Sequence, residues 1–256
     1  MLIAVNAGNS HVLLGGYEGD EQIFSASIAA EPKQTGEFYA YSLRQLFGLY
    51  GVEARRIRGA VLSSVVPAMT PVLEKALRLL GVQDVIEVSS GVKTGLNIRS
   101  EQPRQVGSDR VAAAVAARAK GELPCVVVSL GTATTFTVLD EVGALVGSAI
   151  TAGVHLSLDA LRAQAAQLPA VAIEGACGGI LARNTEDAMR AGAVYGAAAM
   201  VDGMIERFAQ ALGKQPCVVV TGGTAPLIMP HLRTAHVYDE SLLLDGLRMI
   251  WKRNRN

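Results

Sequence analysis

Apolar residues along the chain recur with two periods, which predict a succession of strands and helices. Short runs rich in Val, Ile and Leu, bounded by glycine or polar residues, are typical of strands. Longer stretches with apolar positions three and four residues apart are typical of helices. The strands are predicted at residues 2–6, 11–17, 22–28, 57–62, 84–88, 125–129, 134–139 and 217–221, and the helices at about 35–50, 70–81, 107–120, 155–167, 184–212 and 240–252. Strands interleaved with helices predict an α/β fold.

Two strand–turn–strand segments are alike, which indicates an internal duplication. AVNAGNSHVLL, from residue 4, and VVSLGTATTFTVL, from residue 127, each contain a buried strand, a polar residue, a glycine turn and a second strand. A third stretch, VVVTGGTA from residue 218, also ends a strand in glycine. Two copies predict two similar halves rather than a solenoid, and we place these halves at residues 1–118 and 119–256. The equivalent positions are Asn6 and Ser129, Gly8 and Gly131, and Asn9 and Thr132.

The predicted helix at 184–212 has an unusual middle. Asn184 or Thr185 supplies an N-cap, acidic residues follow in the first turn, and Gly213 ends the helix. Residues 191–197 read AGAVYGA, so this part of the helix has few large side chains. Small residues let another backbone approach closely. Either packing within the chain or a subunit interface explains the pattern.

Composition narrows the class of protein. The 256 residues are 50% hydrophobic and 18% charged, which indicates a globular chain rather than a disordered one. Lys and Arg balance Asp and Glu at 23 each, so nothing favours a nucleic-acid partner, and we expect the basic end WKRNRN to be a frayed, solvated helix terminus. There is no transmembrane-length apolar run and no signal-peptide pattern, so we expect a cytoplasmic protein. The three cysteines, Cys125, Cys177 and Cys217, are too widely spaced for a disulfide framework, and the four histidines lack metal-ligand spacing.

The glycine turns are candidate phosphate contacts. Backbone N–H groups exposed at such turns bind anions, and small hydroxyl or amide side chains add donors. A single glycine turn is more often structural, but two at equivalent positions, with a further Gly-Gly pair, favour a nucleotide site. A Walker A motif and a GxGxxG motif after a strand are both absent. The candidate nucleotide contacts are Asn6, Gly8, Asn9, Ser10, Gly131, Thr132, Thr134, Gly222 and Gly223.

Several motifs, in order, resemble those of one family. They are NAGNSHVLLG, VKTGLNI, QPRQVGSDRVAAAVAA, SLGTATTFTVLD, GSAITAGVHLSLDAL, RNTEDAMRAGAVYG, VTGGTAPLI and LLLDGLRMIWKRN. Together they resemble the type III pantothenate kinases, a branch of the actin-like ATPase superfamily that also holds acetate and sugar kinases. The resemblance covers nearly the whole chain.

This resemblance implies a fold, a reaction and partners. The fold would be two ribonuclease-H-like halves with a nucleotide cleft between them. The reaction would transfer the γ-phosphoryl group of ATP to the 4′-hydroxyl of pantothenate, the first step toward coenzyme A. The family works as a dimer with its pantothenate pocket at the subunit interface, and it uses Mg²⁺ and a monovalent cation, K⁺ or NH₄⁺. We expect neither a nucleic-acid nor a membrane partner.

The resemblance also assigns roles to residues. The family's GADR segment corresponds to Gly107, Ser108, Asp109 and Arg110, with the aspartate as the proposed general base and the arginine as a substrate contact. Without the resemblance, an N-capping role for Asp109 would be equally acceptable. Thr185 matches a threonine that the family offers to the pantothenate site across the dimer, although capping of its own helix is the alternative.

Three departures from the family pattern concern the reaction directly. The family has aspartate at the first and second turns, where this chain has Asn6 and Ser129, and it commonly has tyrosine where Ser100 stands. Mg²⁺ prefers carboxylates and neutralises charge on the transferred phosphoryl group. The two neutral residues are therefore weak candidate metal contacts. We expect a kinase that is impaired alone and acts as a subunit of a homodimer or heterodimer; an unusual active kinase and a non-catalytic binding or regulatory homologue are the alternatives.

Overall fold

Two five-stranded sheets with the same strand order organise the molecule. The computed structural model describes residues 1–173 and 178–255. They divide into one unit of Met1–Leu96, Glu101–Ala119 and the C-terminal segment from Ser241, and a second unit of Asn97–Ser100 and Lys120–Glu240. The predicted division at 118/119 gave the C-terminal segment to the second half, whereas the structure packs it in the first unit.

The first unit holds five strands and four helices. Its strands are β1 (Leu2–Ala7), β2 (His11–Glu18), β3 (Glu21–Ala29), β4 (Gly59–Ser64) and β5 (Val85–Glu87), in the order β3-β2-β1-β4-β5. β1, β2 and β3 pair antiparallel, and β1, β4 and β5 pair parallel. Its helices are α1 (Gly36–Leu49), α2 (Met69–Leu79), α3 (Ser108–Lys120) and α7 (Leu242–Arg255).

The second unit repeats this arrangement. Its strands are β6 (Cys125–Leu130), β7 (Ala133–Leu139), β8 (Leu145–Ala152), β9 (Cys217–Thr221) and β10 (Val237–Tyr238), in the order β8-β7-β6-β9-β10. β6, β7 and β8 pair antiparallel, and β6, β9 and β10 pair parallel. Its helices are α4 (Val154–Gln164), α5 (Thr185–Leu212) and the single turn α6 (Ala225–Ile228). The shared order and strand directions confirm the predicted duplication.

The sheet of the first unit is covered on both faces, as the period-two alternation of β1 requires. Ile3, Val5 and Ala7 belong to the core that β1 shares with α1 and α2. Ala4 faces the opposite way, into a core that includes residues of α3 and α7. In the second unit, residues of β6, β7, β9, α4 and α5 form one core.

Every predicted strand and helix is present, and within the described residues two strands, one α-helix and three short 3₁₀ turns were not predicted. β8 reads LVGSAITA, contains small residues poor in strand propensity, lies at a sheet edge and is largely exposed, so it lacks a buried apolar run. β10 has two residues and α6 has four, too few for a periodic signal. Gly213, with φ of 69°, ends α5 in the left-handed conformation, as predicted.

Residues 251–255 of the basic C-terminus are helical and contact the first unit, so the prediction of a frayed, solvated end was wrong for them. α7 continues to Arg255. The Trp251 ring lies over Gly59, where an added Cβ would be 2.2 Å from a ring carbon, and Arg255 pairs with Asp84. The amide of Asn254 donates to the carbonyl of Lys93 at 3.0 Å. Tertiary contacts of one aromatic and two polar side chains therefore hold the helix end that its charge pattern alone would leave in solvent.

The described cysteines are structural thiols. Cys125 and Cys217 begin adjacent parallel strands and lie opposite each other in register. Burial, with the neighbouring Cys217, raises the pKa of Cys125 to about 12, which makes that thiol a poor nucleophile. Cys177 lies outside the described residues. Among the helices of residues 1–173 and 178–255, none combines the length and the apolar character needed to cross a membrane.

Packing of α7 against α3 makes Gly246 a sensitive position. A Cβ there would lie 1.8 Å from the carbonyl oxygen of Ala112. Alanine gains about 1 kcal/mol over glycine in a helix, but a backbone clash in a packed core costs about 1–3 kcal/mol. We expect Gly246→Ala to lower the free energy of unfolding by about 1–2 kcal/mol in urea titrations.

Gly48→Ala in α1 is the matched control, because an added Cβ there meets nothing within 4 Å. This variant should be as stable as the wild type or more so. Equal stabilisation by both substitutions would show that α7 does not pack as described.

Candidate active site

The first glycine turn joins β1 to β2 and places Asn6 beside two other strands. Asn6 lies opposite Leu13 of β2 and Ser63 of β4. It is 5% exposed, and its Oδ1 is buried without a hydrogen-bond partner. Gly8 donates its N–H to the carbonyl of His11 at 2.9 Å, which closes the turn. The predicted contacts Asn9 and Ser10 follow and are exposed.

The second glycine turn, between β6 and β7, has an equivalent position for Ser129. Ser129 lies opposite Thr135 of β7 and Thr221 of β9, as Asn6 lies opposite one antiparallel and one parallel neighbour. Gly131 donates its N–H to the carbonyl of Ala133 at 3.1 Å. Of the predicted contacts here, Thr132 is exposed and Thr134 is buried.

Two further glycines press against this second turn. A Cβ at Gly153 would lie 2.1 Å from the carbonyl oxygen of Gly131, and a Cβ at Gly222 would lie 2.3 Å from that of Leu130. Gly222 also has a φ of 104°, which favours glycine. Gly223 is exposed, and a Cβ there meets nothing within 4 Å. In the Gly-Gly pair, Gly222 is therefore required by close backbone packing, whereas Gly223 lies at an open surface.

Sequence reasoning missed two contributors to this second turn. Gly153 donates its N–H to the carbonyl of Thr132 at 3.0 Å and directly precedes α4. Thr224 donates its hydroxyl to the carbonyl of Leu130 at 3.0 Å. Each lies in a glycine-containing stretch, TAGV and GGTA, but only the fold shows that both stretches meet the same turn.

The segment at 107–110 docks against the end of β4. The hydroxyl groups of Ser108 and Ser63 are 2.8 Å apart, and Ser108 Oγ also donates to the carbonyl of Ser64 at 3.2 Å. Since Ser63 lies opposite Asn6 in the sheet, these contacts bring the start of α3 next to the end of β1. Ser63 was missed because it lies 45 residues from Ser108 in sequence.

Gly107 makes room for the carboxylate of Asp109. A Cβ at Gly107 would lie 2.5 Å from Asp109 Oδ1 and 3.7 Å from Arg110 Nε. Asp109 Oδ1 accepts the N–H of Arg110 at 2.7 Å. Burial raises the pKa of Asp109, and the hydrogen bond and positive charge of Arg110 oppose that rise. A carboxyl with a raised pKa is a stronger proton acceptor when ionised, which suits a general base.

Two candidate residues lie at the N-terminus of α5, and they have different roles there. Asn184 is the cap, since its Oδ1 accepts the N–H of Asp187 at 2.8 Å. Thr185, the predicted substrate contact, follows in the first turn and is exposed. Ser100, where the family commonly has tyrosine, has a buried Oγ without a hydrogen-bond partner.

The donor set does not form a metal site by itself. No group of three or more His, Cys, Asp or Glu side chains suited to a metal ion occurs among residues 1–173 and 178–255. Asn6 supplies one buried, unpartnered oxygen and Ser129 a hydroxyl, both neutral. Mg²⁺ is usually held by one or two carboxylates together with substrate phosphates and water. Asn6 Oδ1, as an unpartnered acceptor, would suit a water molecule of an Mg²⁺ ion carried by a nucleotide's phosphates.

Similarity to solved structures bears on the fold. The activator of 2-hydroxyisocaproyl-CoA dehydratase from Clostridium difficile, with bound ADPNP, matches with a TM-score of 0.57 at 14% identity, over 99% of this chain and 96% of that one. MreB5 of Spiroplasma citri, bound to ADP, matches with a TM-score of 0.52 at 10% identity, over 98% and 96%. The predicted duplicated ribonuclease-H-like, actin-like ATPase fold is confirmed.

Sequence comparison gives the family. The model described as type III pantothenate kinase matches residues 2–207. Type III pantothenate kinases from Brevibacillus brevis and Moorella thermoacetica are each 40% identical, over 100% and 99% of this chain and 100% of each relative. The relative from Geotalea daltonii is 38% identical over 100% of this chain and 99% of its own length. The chain therefore belongs to the type III pantothenate kinase family.

Proposed function

We propose that this chain uses ATP to phosphorylate pantothenate in coenzyme A biosynthesis, weakly when alone and as one subunit of a dimer. Family membership and the confirmed fold support the substrate pair. The observation that supports weak activity concerns Asn6. This neutral, buried residue, whose Oδ1 has no hydrogen-bond partner, occupies the position where the resemblance implies a carboxylate. Ser129 repeats the loss of charge at the equivalent position of the second unit.

Asp109 is the proposed base. Its carboxylate would accept the proton of the pantothenate hydroxyl as that oxygen attacks phosphorus, while Arg110 and Ser108 orient the substrate. The hydroxyl pair of Ser108 and Ser63 fixes the segment on β4, and Gly107 leaves the carboxylate its space. Both glycine turns are proposed phosphate contacts. A bound Mg²⁺ would neutralise charge on the transferred phosphoryl group.

The Asp109→Asn variant separates catalysis from folding. Asparagine keeps an acceptor for the Arg110 N–H but cannot take a proton, so kcat should fall about 10²–10⁴-fold in an ATP-dependent phosphorylation assay. The folded pKa of Asp109 lies above the unfolded value. Folding therefore binds the proton more tightly, and this group's contribution to stability declines as pH rises through that window.

The variant should consequently match or exceed the wild type in melting temperature at neutral pH, and its stability should lose this pH dependence just above the ordinary carboxyl pKa of 3.8. Asp159→Asn, at an exposed position of α4, is the control and should keep wild-type kcat. Full activity of Asp109→Asn would remove this residue from the role of base.

An aspartate at position 6 tests whether the missing charge at this proposed metal contact limits the reaction. We expect Asn6→Asp to raise kcat by up to about 10²-fold, because one preorganised electrostatic contact contributes on that order. Without nucleotide the same variant should be less stable, since a charge would be buried at a site that is 5% exposed. Mg²⁺ with ATP should recover the lost melting temperature.

Gln45→Glu, the same amide-to-acid change at an exposed position of α1, should alter neither property. If Asn6→Asp leaves kcat unchanged with Mg²⁺ supplied, the missing charge does not limit the reaction.

The dimer is proposed to form through an open stripe on α5. Val194 and Ala198 face the core of the second unit and Ala191 is buried, whereas Gly192 and Gly196 are exposed and an added Cβ at either meets nothing within 4 Å. Packing within the described chain therefore does not account for these two glycines. A second backbone could approach closely there.

We expect Gly192→Leu to convert dimers to monomers or to insoluble material, measured by light scattering after gel filtration, because leucine would separate the two helices. Gly48→Leu in α1 adds the same side chain at another open helical glycine and should keep the wild-type mass. An unchanged dimer in the Gly192 variant would locate the interface elsewhere.

A heterodimer is the second arrangement we propose, and the position of Thr185 favours it. Asn184 performs the capping, so the exposed Thr185 is available to complete a partner's substrate pocket. Coexpression with a family member that carries both turn aspartates should give a mixed kinase. In that complex Thr185→Ala in this chain should raise KM for pantothenate by about tenfold, as expected for one or two lost hydrogen bonds.

Asn6→Ala in this chain should change the mixed kinase little, because the working nucleotide site would belong to the partner. Loss of activity with Asn6→Ala, but not with Thr185→Ala, would refute the supporting role. A non-catalytic homologue, the remaining alternative, would retain its biological function with Asp109→Asn.

A further inference from the structure

A basic concavity lies in the first unit, away from the glycine turn of that unit. It has a volume of about 650 Å³ and is bounded by the end of α3, by α7 and by the loop at 94–96. Four of its lining residues are cations, Arg118, Arg248, Lys252 and Arg253, and one is an acid, Asp20. The whole chain balances its charges, so this lining is a local concentration of positive charge.

Two of the guanidinium groups converge on one glycine. Gly95 has a φ of 74°, and a Cβ there would lie 2.5 Å from Arg253 Cζ, so the Arg253 guanidinium rests on its backbone. Arg118 Nη1 donates to the carbonyl oxygen of the same glycine at 2.5 Å. Neither arginine forms an ion pair with a carboxylate in the described part of the chain. Two like charges brought together favour an anion between or beside them.

The remaining cations share Asp20, and Arg248 has a second carboxylate nearby, with Asp245 Oδ1 3.9 Å from its Nε. Lys252 Nζ lies 2.5 Å from Asp20 Oδ1, and Arg248 pairs with that same oxygen. The Arg248 side chain is 9% exposed, stacks over the Tyr17 ring at 5.6 Å and has a buried Nε without a hydrogen-bond acceptor. Asp20 and Asp245 together cannot neutralise four cations, so the concavity keeps a net positive charge.

We propose that this concavity binds a phosphate-bearing small molecule, at a site separate from both glycine turns. Guanidinium groups present forked donors that match phosphate oxygens, and two of them from different helices can hold one phosphate group from two sides. The volume is in the range of small-molecule sites. The inference uses only residues of the first unit and does not depend on the proposed kinase activity.

Calorimetric titration of the whole chain with inorganic pyrophosphate tests the site. We expect saturable binding, which the double variant Arg118→Gln, Arg253→Gln weakens about tenfold or more, because each lost charge-assisted hydrogen bond corresponds to about tenfold in affinity. Arg118→Lys with Arg253→Lys keeps the charge and should lose less. Lys33→Gln with Arg44→Gln removes two exposed charges elsewhere and should bind as the wild type does.

Neither variant pair touches the glycine turns, so the component of pyrophosphate binding that the glutamine pair weakens and the control pair keeps is assigned to the concavity. Absence of that component in the wild type, or equal weakening in the glutamine and control pairs, would overturn the proposal. All three variants substitute exposed residues, and unchanged melting temperatures verify that they are folded.

Discussion

Pairing of the central strand with an antiparallel neighbour on one side and a parallel neighbour on the other is the constraint on which the site depends. In the first unit β1 takes this position between β2 and β4, and in the second β6 takes it between β7 and β9. The glycine turn and the polar end of the parallel neighbour then lie at one edge of the sheet. Asn6 thereby meets Ser63, and Ser129 meets Thr221, with no contribution from long side chains.

The same register positions the proposed base. Ser63 is completely buried, and its hydroxyl is 2.8 Å from that of Ser108, so the start of α3 is tied to the end of β4. Gly107 then leaves space for a carboxylate that burial has made more basic. The proposed pantothenate contacts at 107–110 are thus tied to β4, whereas the proposed phosphate contacts Asn6 and Ser129 are neutral. This contrast is the physical basis for proposing weak activity alone.

The local sequence was enough to predict the repeated parts of the fold. It was not enough to predict contacts between segments that are distant along the chain. The two hairpins were predictable because a β-branched run ending in glycine and small polar residues has few alternatives. β8 was not, since LVGSAITA at an exposed edge lacks a buried apolar run. The candidate site follows the same rule. Its turns and the 107–110 segment were predictable from local sequence, whereas Ser63, Gly153 and Thr224 make hydrogen bonds to residues far along the chain. The order of the C-terminal helix was missed because Gly59 admits the Trp251 ring from another segment.

We propose that the neutral residues Asn6 and Ser129 leave nucleotide binding intact and slow phosphoryl transfer. The direct measurement is ATP affinity and pantothenate-dependent turnover on one preparation of the purified chain, with Mg²⁺ and either K⁺ or NH₄⁺ supplied. We expect saturable ATP binding, with turnover about 10²-fold or more below the roughly 1–100 s⁻¹ usual for kinases. Turnover of several per second by this chain alone would contradict it.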